Sequence, residues 1–235
     1  MSARIFLIPT VLFDGQTDCL PAYLLNATQN CQVFFVENER TARRYLKSIW
    51  KGIIIDDFEW FNMQKITNET EASFKLKIKE EKTIGIISEA GCPGVADPGQ
   101  RLVEIAQELD VIVKPLVGPN SILLALMASG MNGQKFQFVG YLPIDVAERT
   151  KAIKTLENES KQKNCTQIFI ETPYRNNQLL ETLVKTCHPQ TKVCLAIDLT
   201  SPSETIQTKT ATEWKNKMPD IHKHPAIFLM YAGER

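Results

Sequence analysis

Ile86-Ile-Ser-Glu-Ala-Gly-Cys-Pro-Gly-Val-Ala-Asp-Pro-Gly99 is the stretch on which the fold turns. A run with the character of a buried strand, Thr83–Ile87, enters a loop with three glycines and two prolines, and a helical pattern begins at Arg101. Gly91 and Gly94 lack the Cβ that keeps other molecules away from a backbone, so a ligand can approach closely there. Proline fixes φ and stiffens the loop, which sets its shape in advance. The spacing is neither the Gly-x-Gly-x-x-Gly dinucleotide fingerprint nor a phosphate loop ending in Gly-Lys-Ser/Thr. Two readings stay open on residues alone: a complicated turn without a ligand, and a preformed backbone cradle for a small molecule.

Outward from this loop, short β-rich runs alternate with helical patterns. Ile5–Ile8, Cys31–Val36, Thr83–Ile87 and Val111–Leu116 are strand candidates in the first half; Phe136–Val139, Thr166–Ile170, Lys192–Ile197 and Ala226–Tyr231 follow in the second. Most are continuous apolar runs, as in strands covered on both faces. Ala42, Tyr45, Leu46 and Ile49 repeat at helical spacing, as do Leu102, Ile105, Ala106 and Leu109, and a shorter stripe runs through Leu179, Leu180, Leu183 and Val184. Thr210-Ala-Thr-Glu213 has capping-box spacing and predicts a late helix. The alternation predicts an α/β protein with ligand sites beyond the carboxyl ends of its strands. The predicted boundary lies near Val117-Gly-Pro-Asn120, giving two α/β domains of similar size, residues 1–118 with the glycine loop and 119–235.

Lys plus Arg equals Asp plus Glu at 27 each, so any polyanion site must be a local patch. Cysteines 19, 31, 92, 165, 187 and 194 show no Cys-x-x-Cys spacing and read as reduced, mostly buried thiols. The apolar run before Pro9 is too short for a signal-peptide core, and no stretch approaches bilayer-spanning length. A cytoplasmic protein without membrane association is expected. His222 and His224 form a His-x-His pair with no third ligand candidate, and no metal is expected.

The glycine loop resembles the corresponding motif of the tetrapyrrole methylase family, in its ribosomal RNA 2′-O-methyltransferase branch. That branch reads Asp-Ala-Gly-Thr-Pro-Gly-Ile-Ser-Asp-Pro-Gly, matched by Glu89 to Gly99. Val36-Glu-Asn-Glu-Arg40, Pro115-Leu-Val-Gly-Pro-Asn-Ser121, Ala128-Ser-Gly130, Gly140-Tyr-Leu-Pro143 and Glu171-Thr-Pro-Tyr-Arg175 match further motifs in order. The first loop, Pro9-Thr-Val-Leu-Phe-Asp-Gly-Gln-Thr-Asp18, departs from the family's glycine-containing version, and Cys92, Asn120 and Tyr174 replace threonine, serine and histidine. Many members of the branch carry a further small C-terminal domain, and this chain is expected to end with its second α/β half.

The resemblance implies two α/β halves with S-adenosylmethionine bound in a cleft between them, a homodimer, and methyl transfer to the ribose 2′-hydroxyl of a cytidine in 16S ribosomal RNA. It implies donor contacts at Gly91, Cys92 and Val95, at Asn120 and Ser121, at Ile170, and at His224, Pro225 and Ala226; Gly94 joins them from its place in the loop. A valine at Gly94 is expected to abolish donor binding with little loss of fold. Cys92 has no base at recognisable spacing and is expected to contact the donor rather than act as a nucleophile. A ribose hydroxyl needs a proton acceptor, and Glu37 and Glu171 at strand ends are the candidates. The alternative is that each braces its loop by pairing with Arg40 or Arg175. Arg40, Arg43, Arg44 and Lys47, with Lys51, form a basic helical flank that is either a solvated face or a phosphate-contacting strip. A small-molecule methylase and a non-catalytic binding protein are the other functions considered.

Overall fold

The computed structural model describes residues 3–233. Contacts divide the chain into two compact units, Met1–Asn120 and Ser121–Arg235. The first runs β1 (Arg4–Ile8), α1 (Tyr23–Gln29), β2 (Val33–Val36), α2 (Glu39–Ile49), β3 (Glu59–Asn62), α3 (Asn68–Lys79), β4 (Thr83–Ile87), α4 (Gly99–Glu108) and β5 (Ile112–Pro115). Its sheet has the order β3-β2-β4-β1-β5, with every neighbouring pair parallel.

Both faces of this sheet are covered, and side chains alternate between two cores. Phe6, Ile8, Phe34 and Val36 face α1 and α2. Ile5, Val33, Phe35, Ile84 and Ile86 face α3 and α4. Fully burying one such side chain stabilises the fold by roughly 1.5–3 kcal/mol. Gly85 is required where β4 passes Phe34 and Ile8, because a Cβ there would lie 2.7 Å from the Phe34 ring. The α2 helix starts where the Asn38 side chain accepts the Arg40 and Thr41 N–H groups at 3.0 and 3.3 Å.

The second unit runs α5 (Ser121–Ser129), β6 (Phe136–Tyr141), α6 (Val146–Lys163), β7 (Thr166–Ile170), α7 (Asn176–Thr186), β8 (Lys192–Ile197), β9 (Thr205–Thr210), α8 (Ala211–Asn216) and β10 (Ala226–Tyr231). Its sheet, β6-β7-β10-β8-β9, is mixed: β6 and β7 are parallel, while β10 lies antiparallel to β7 and β8, and β8 to β9. The Thr210 capping box forms as its spacing predicts.

All eight candidate strands form. The sequence reading lacks β3 and β9, and each is one of the two edge strands of its sheet. Half-exposed and polar, Glu59–Asn62 and Thr205–Thr210 carry no continuous apolar run to mark them. No helix among the described residues is long and apolar enough to cross a membrane.

Candidate functional site

In the first unit β1 lies between β4 and β5, so the chain leaving β1 and the chain leaving β4 depart to opposite sides. This is a topological switch point, where α/β sheets open a crevice beyond the carboxyl ends of their strands. The glycine loop follows β4 at that place. Gly91 and Gly94 have φ of +74° and +81°, and Ala96 also lies in the left-handed region at +58°. The Asp97 carboxylate holds the turn by accepting the N–H groups of Gly94 and Gly99, both at 2.8 Å.

Loops from three strand ends are joined here. The Thr10 N–H donates to the Gly91 carbonyl at 2.9 Å. The Cys92 thiol lies 3.8 and 3.5 Å from the Gly118 and Pro119 carbonyls, and Asn120 also hydrogen-bonds it. Gly118 packs on the Pro9 ring, where a Cβ would collide. From α1 and α2, the Tyr23 hydroxyl accepts the Val117 N–H at 2.7 Å and the Tyr45 hydroxyl donates to the Pro9 carbonyl at 2.6 Å. A Cβ on Gly91 would press on Leu12, whereas one on Gly94 would enter open space. Val95 and Val117 are exposed.

Gly91, Cys92, Gly94, Val95 and Asn120 thus share one set of loops. The expectation for a valine at Gly94 needs correction: at φ +81° any L side chain is strained, so the fold would be affected as well. Burial raises the Cys92 thiol pKa, which agrees with a loop contact and not a nucleophile.

Glu37 follows β2, and its carboxylate accepts the Glu89 N–H at 3.0 Å, at the head of the glycine loop. The pairing expected with Arg40 is not what holds it. Burial raises the Glu37 pKa, and the nearby Glu89 and Asp97 carboxylates add to the rise against the opposing Glu89 N–H. Burial likewise raises Asp97, against the opposing N–H groups of Gly94 and Gly99. Asp97 itself went unrecognised in the sequence; its place just before Pro98-Gly99 was the available signal.

In the second unit Ile170 ends β7 and pairs with Ile227 of β10, which places it beside the His224-Pro225-Ala226 entry to that strand. Ser121 opens α5, which packs against β8, β9 and β10. The buried Glu171 carboxylate accepts the Thr172 N–H at 2.7 Å and the Arg175 guanidinium at 2.6 and 3.0 Å, so the bracing pair with Arg175 exists. The His224 Nδ1 lies 2.7 Å from the Asp198 carboxylate, and its carbonyl accepts the side-chain amide of the fully buried Asn176 at 2.7 Å. Asp198 and Asn176 are partners that sequence reasoning missed, lying 26 and 48 residues from His224. His222 packs its ring on Tyr174, and no group of three or more potential metal ligands occurs among the described residues. All six cysteines are free thiols.

The basic flank of α2 is not uniform. Arg43 pairs with Glu39 at 2.8 Å and lies over the Trp60 ring, and Arg44 pairs with Asp14 at 3.1 Å. Arg40 and Lys47 are exposed and take part in no ion pair among the described residues.

The family model of tetrapyrrole (corrin/porphyrin) methylases matches residues 14–214. The ribosomal RNA small subunit methyltransferase I of Vibrio cholerae is 35% identical over 166 residues, covering 68% of this chain and 56% of that protein. The protein of the same name from Mesorhizobium japonicum is 35% identical over 145 residues, covering 61% and 48%. The chain spans about half the length of these curated relatives. Among solved structures, the methyltransferase CobJ superposes with a TM-score of 0.63 at 16% identity, covering 98% of this chain and 93% of that one. Cobalt precorrin-4 methyltransferase CbiF gives 0.60 at 15%, covering 97% and 94%. At such identities the likeness is one of fold.

Proposed function

Because the chain belongs to the tetrapyrrole (corrin/porphyrin) methylase family, we propose that it transfers a methyl group from S-adenosylmethionine to a ribose 2′-hydroxyl of small-subunit ribosomal RNA. A homodimer and a cytoplasmic location belong to the same proposal. The observation that carries the donor assignment is the open space in front of Gly94, in a turn clamped by Asp97.

The residues present fit this donor. Exposed Val95 and Val117 suit its apolar portions, and backbone at Gly91 to Val95 can approach closely. Glu37, Glu89 and Asp97 gather negative charge around the loop, which favours a cationic ligand. When bound, S-adenosylmethionine supplies an electrophilic methyl group on a sulfonium.

The chain then has to orient the acceptor and take its proton. Oε1 of Glu171 takes the Thr172 N–H and the Arg175 guanidinium, which makes it a brace, while Oε2 is buried and accepts no hydrogen bond among the described residues. Glu37 keeps a half-buried carboxylate with a raised pKa, which suits a proton acceptor, and we assign it that role.

The test offers tritiated S-adenosylmethionine with small ribosomal subunits lacking the modification, or with a tetrapyrrole acceptor. Label in RNA, at a position resistant to alkaline cleavage, is the expected result. Label in the tetrapyrrole would overturn the acceptor assignment and favour the small-molecule reading. Donor binding without transfer to either would favour a non-catalytic protein.

A further inference from the structure

Tyr174 is the most exposed aromatic side chain among the described residues, at 69%. It stands on the 3-10 turn Pro173–Arg175, between the Glu171–Arg175 brace and the start of α7. The turn 220–224 brings a second set of side chains against it from 48 residues away. The His222 ring meets Tyr174 at 5.8 Å in an edge-on arrangement, and the Lys223 ammonium lies 6.0 Å from the centre of the same ring.

This grouping is held rigidly from beneath. The Lys223 N–H donates to the Pro173 carbonyl at 2.9 Å, tying the two turns together. Asn176 and Asn177, the first residues of α7, bind the 220–224 turn at both ends: Asn176 through the His224 carbonyl, Asn177 through the Ile221 N–H at 2.9 Å and the Asp220 carboxylate at 2.8 Å. Lys223 itself sits at φ +67°, an uncommon conformation for a long side chain and the kind that persists where surroundings impose it. Six angströms is the outer limit of a cation–ring contact, so the Lys223 ammonium is not committed to Tyr174. It enters no ion pair among the described residues. The one carboxylate in the turn, Asp220, is taken up by the Asn177 amide and the His222 N–H at 3.0 Å.

An exposed ring with an uncommitted ammonium and an imidazole beside it, fixed before any ligand arrives, has the chemistry of a site for unpaired nucleic acid. Bases stack on aromatic faces irrespective of sequence, and cations alongside take the phosphates. We propose that Tyr174, His222 and Lys223 form a subsite for single-stranded RNA, the Tyr174 ring stacking an unpaired base and Lys223 contacting an adjoining phosphate. The proposal rests on the reading of the chain as an RNA methyltransferase and adds to it the place where an unpaired nucleotide is gripped.

The probe is a fluorescein-labelled, mixed-sequence single-stranded oligoribonucleotide, titrated by anisotropy at several salt concentrations, with its duplex as control. Tyr174→Ala should weaken single-strand binding about tenfold with the salt slope intact, and Tyr174→Phe should retain affinity. Lys223→Ala should reduce the slope by about 0.7, the value for one phosphate on a single strand. Duplex binding should not respond to Tyr174, since paired bases offer no free face, and calorimetric affinity for S-adenosylmethionine should be the same in all variants. Wild-type RNA binding with every variant unchanged overturns the subsite and leaves the RNA reading standing. A loss in Tyr174→Phe equal to that in Tyr174→Ala overturns stacking. Weakened donor binding in Tyr174→Ala places the ring in the donor site instead. A wild-type protein that binds no RNA overturns both readings together.

Discussion

The glycine loop of the first unit and the strand-end loops of the second are held by different means. In the glycine loop the groups held are backbone ones: the Thr10 N–H donates to the Gly91 carbonyl, and the N–H groups of Gly94 and Gly99 donate to the single carboxylate of Asp97. In the second unit side chains do the fastening, with Glu171 gripping Arg175, Asp198 gripping His224, and Asn176 reaching the His224 carbonyl. A substitution cannot delete a backbone atom, but it can obstruct the space the backbone leaves open. It can delete a side-chain clasp outright. The first kind of loop should therefore lose binding more readily than fold, and the second fold more readily than binding.

Glu171→Ala should produce the largest effect. The Glu171 side chain is 0% exposed and Arg175 30%. Removing one partner of such a pair leaves the guanidinium and the Thr172 N–H without their acceptor, at a cost of about 3 kcal/mol, the lower end for a buried pair since Arg175 is partly solvated. In a chain of this size that lowers Tm by roughly 6–12 °C. A thermal shift smaller than about 2 °C would show that the clasp contributes little and would break the contrast between the two units.

Gly94 sharpens the other side. Alanine and valine there share the cost of the left-handed backbone, about 1–2 kcal/mol, because both carry a Cβ. They differ in how much of the open space they fill. Gly94→Val should abolish S-adenosylmethionine binding in calorimetry, and Gly94→Ala should keep a measurable part of it at nearly the same Tm. Equal donor affinity in the two variants would mean that the space in front of Gly94 is not where the donor lies.

The same contrast accounts for what was legible in the sequence. The glycine loop was readable because its conformation is written locally, in Gly91, Gly94 and the prolines around them. So were the eight candidate strands, most of them continuous apolar runs. The edge strands Glu59–Asn62 and Thr205–Thr210 were not, since half of each faces water. Nor were the clasps between distant residues. Nothing in the sequence joins Asp198 to His224 or brings Lys223 to Tyr174, and the Glu37 carboxylate meets the Glu89 N–H 52 residues away rather than Arg40 three positions on. Sequence could count the cations of α2 but could not say which were already paired.

That last distinction sets the smallest effect. Arg43 and Arg44 behave like the clasps of the second unit: one bridges Glu39 and covers Trp60, the other reaches Asp14 in the loop after β1. Exposed pairs of this kind contribute at most about 1 kcal/mol each, so their removal should cost little stability. Arg40 and Lys47 enter no ion pair among the described residues. If α2 lies along the RNA backbone, these two neutralise phosphates, and each phosphate contact contributes roughly 0.7 to 0.9 to the slope of log affinity against log salt. The double variant Arg40→Ala with Lys47→Ala should therefore flatten that slope by about one to two units, with donor affinity unchanged. Arg43→Ala with Arg44→Ala should flatten it less, because each phosphate contact there would first require breaking an internal ion pair. Equal flattening by the two double variants would mean that the ion pairs to Glu39 and Asp14 give way on RNA binding, and would erase the difference between bracing and free cations on this helix.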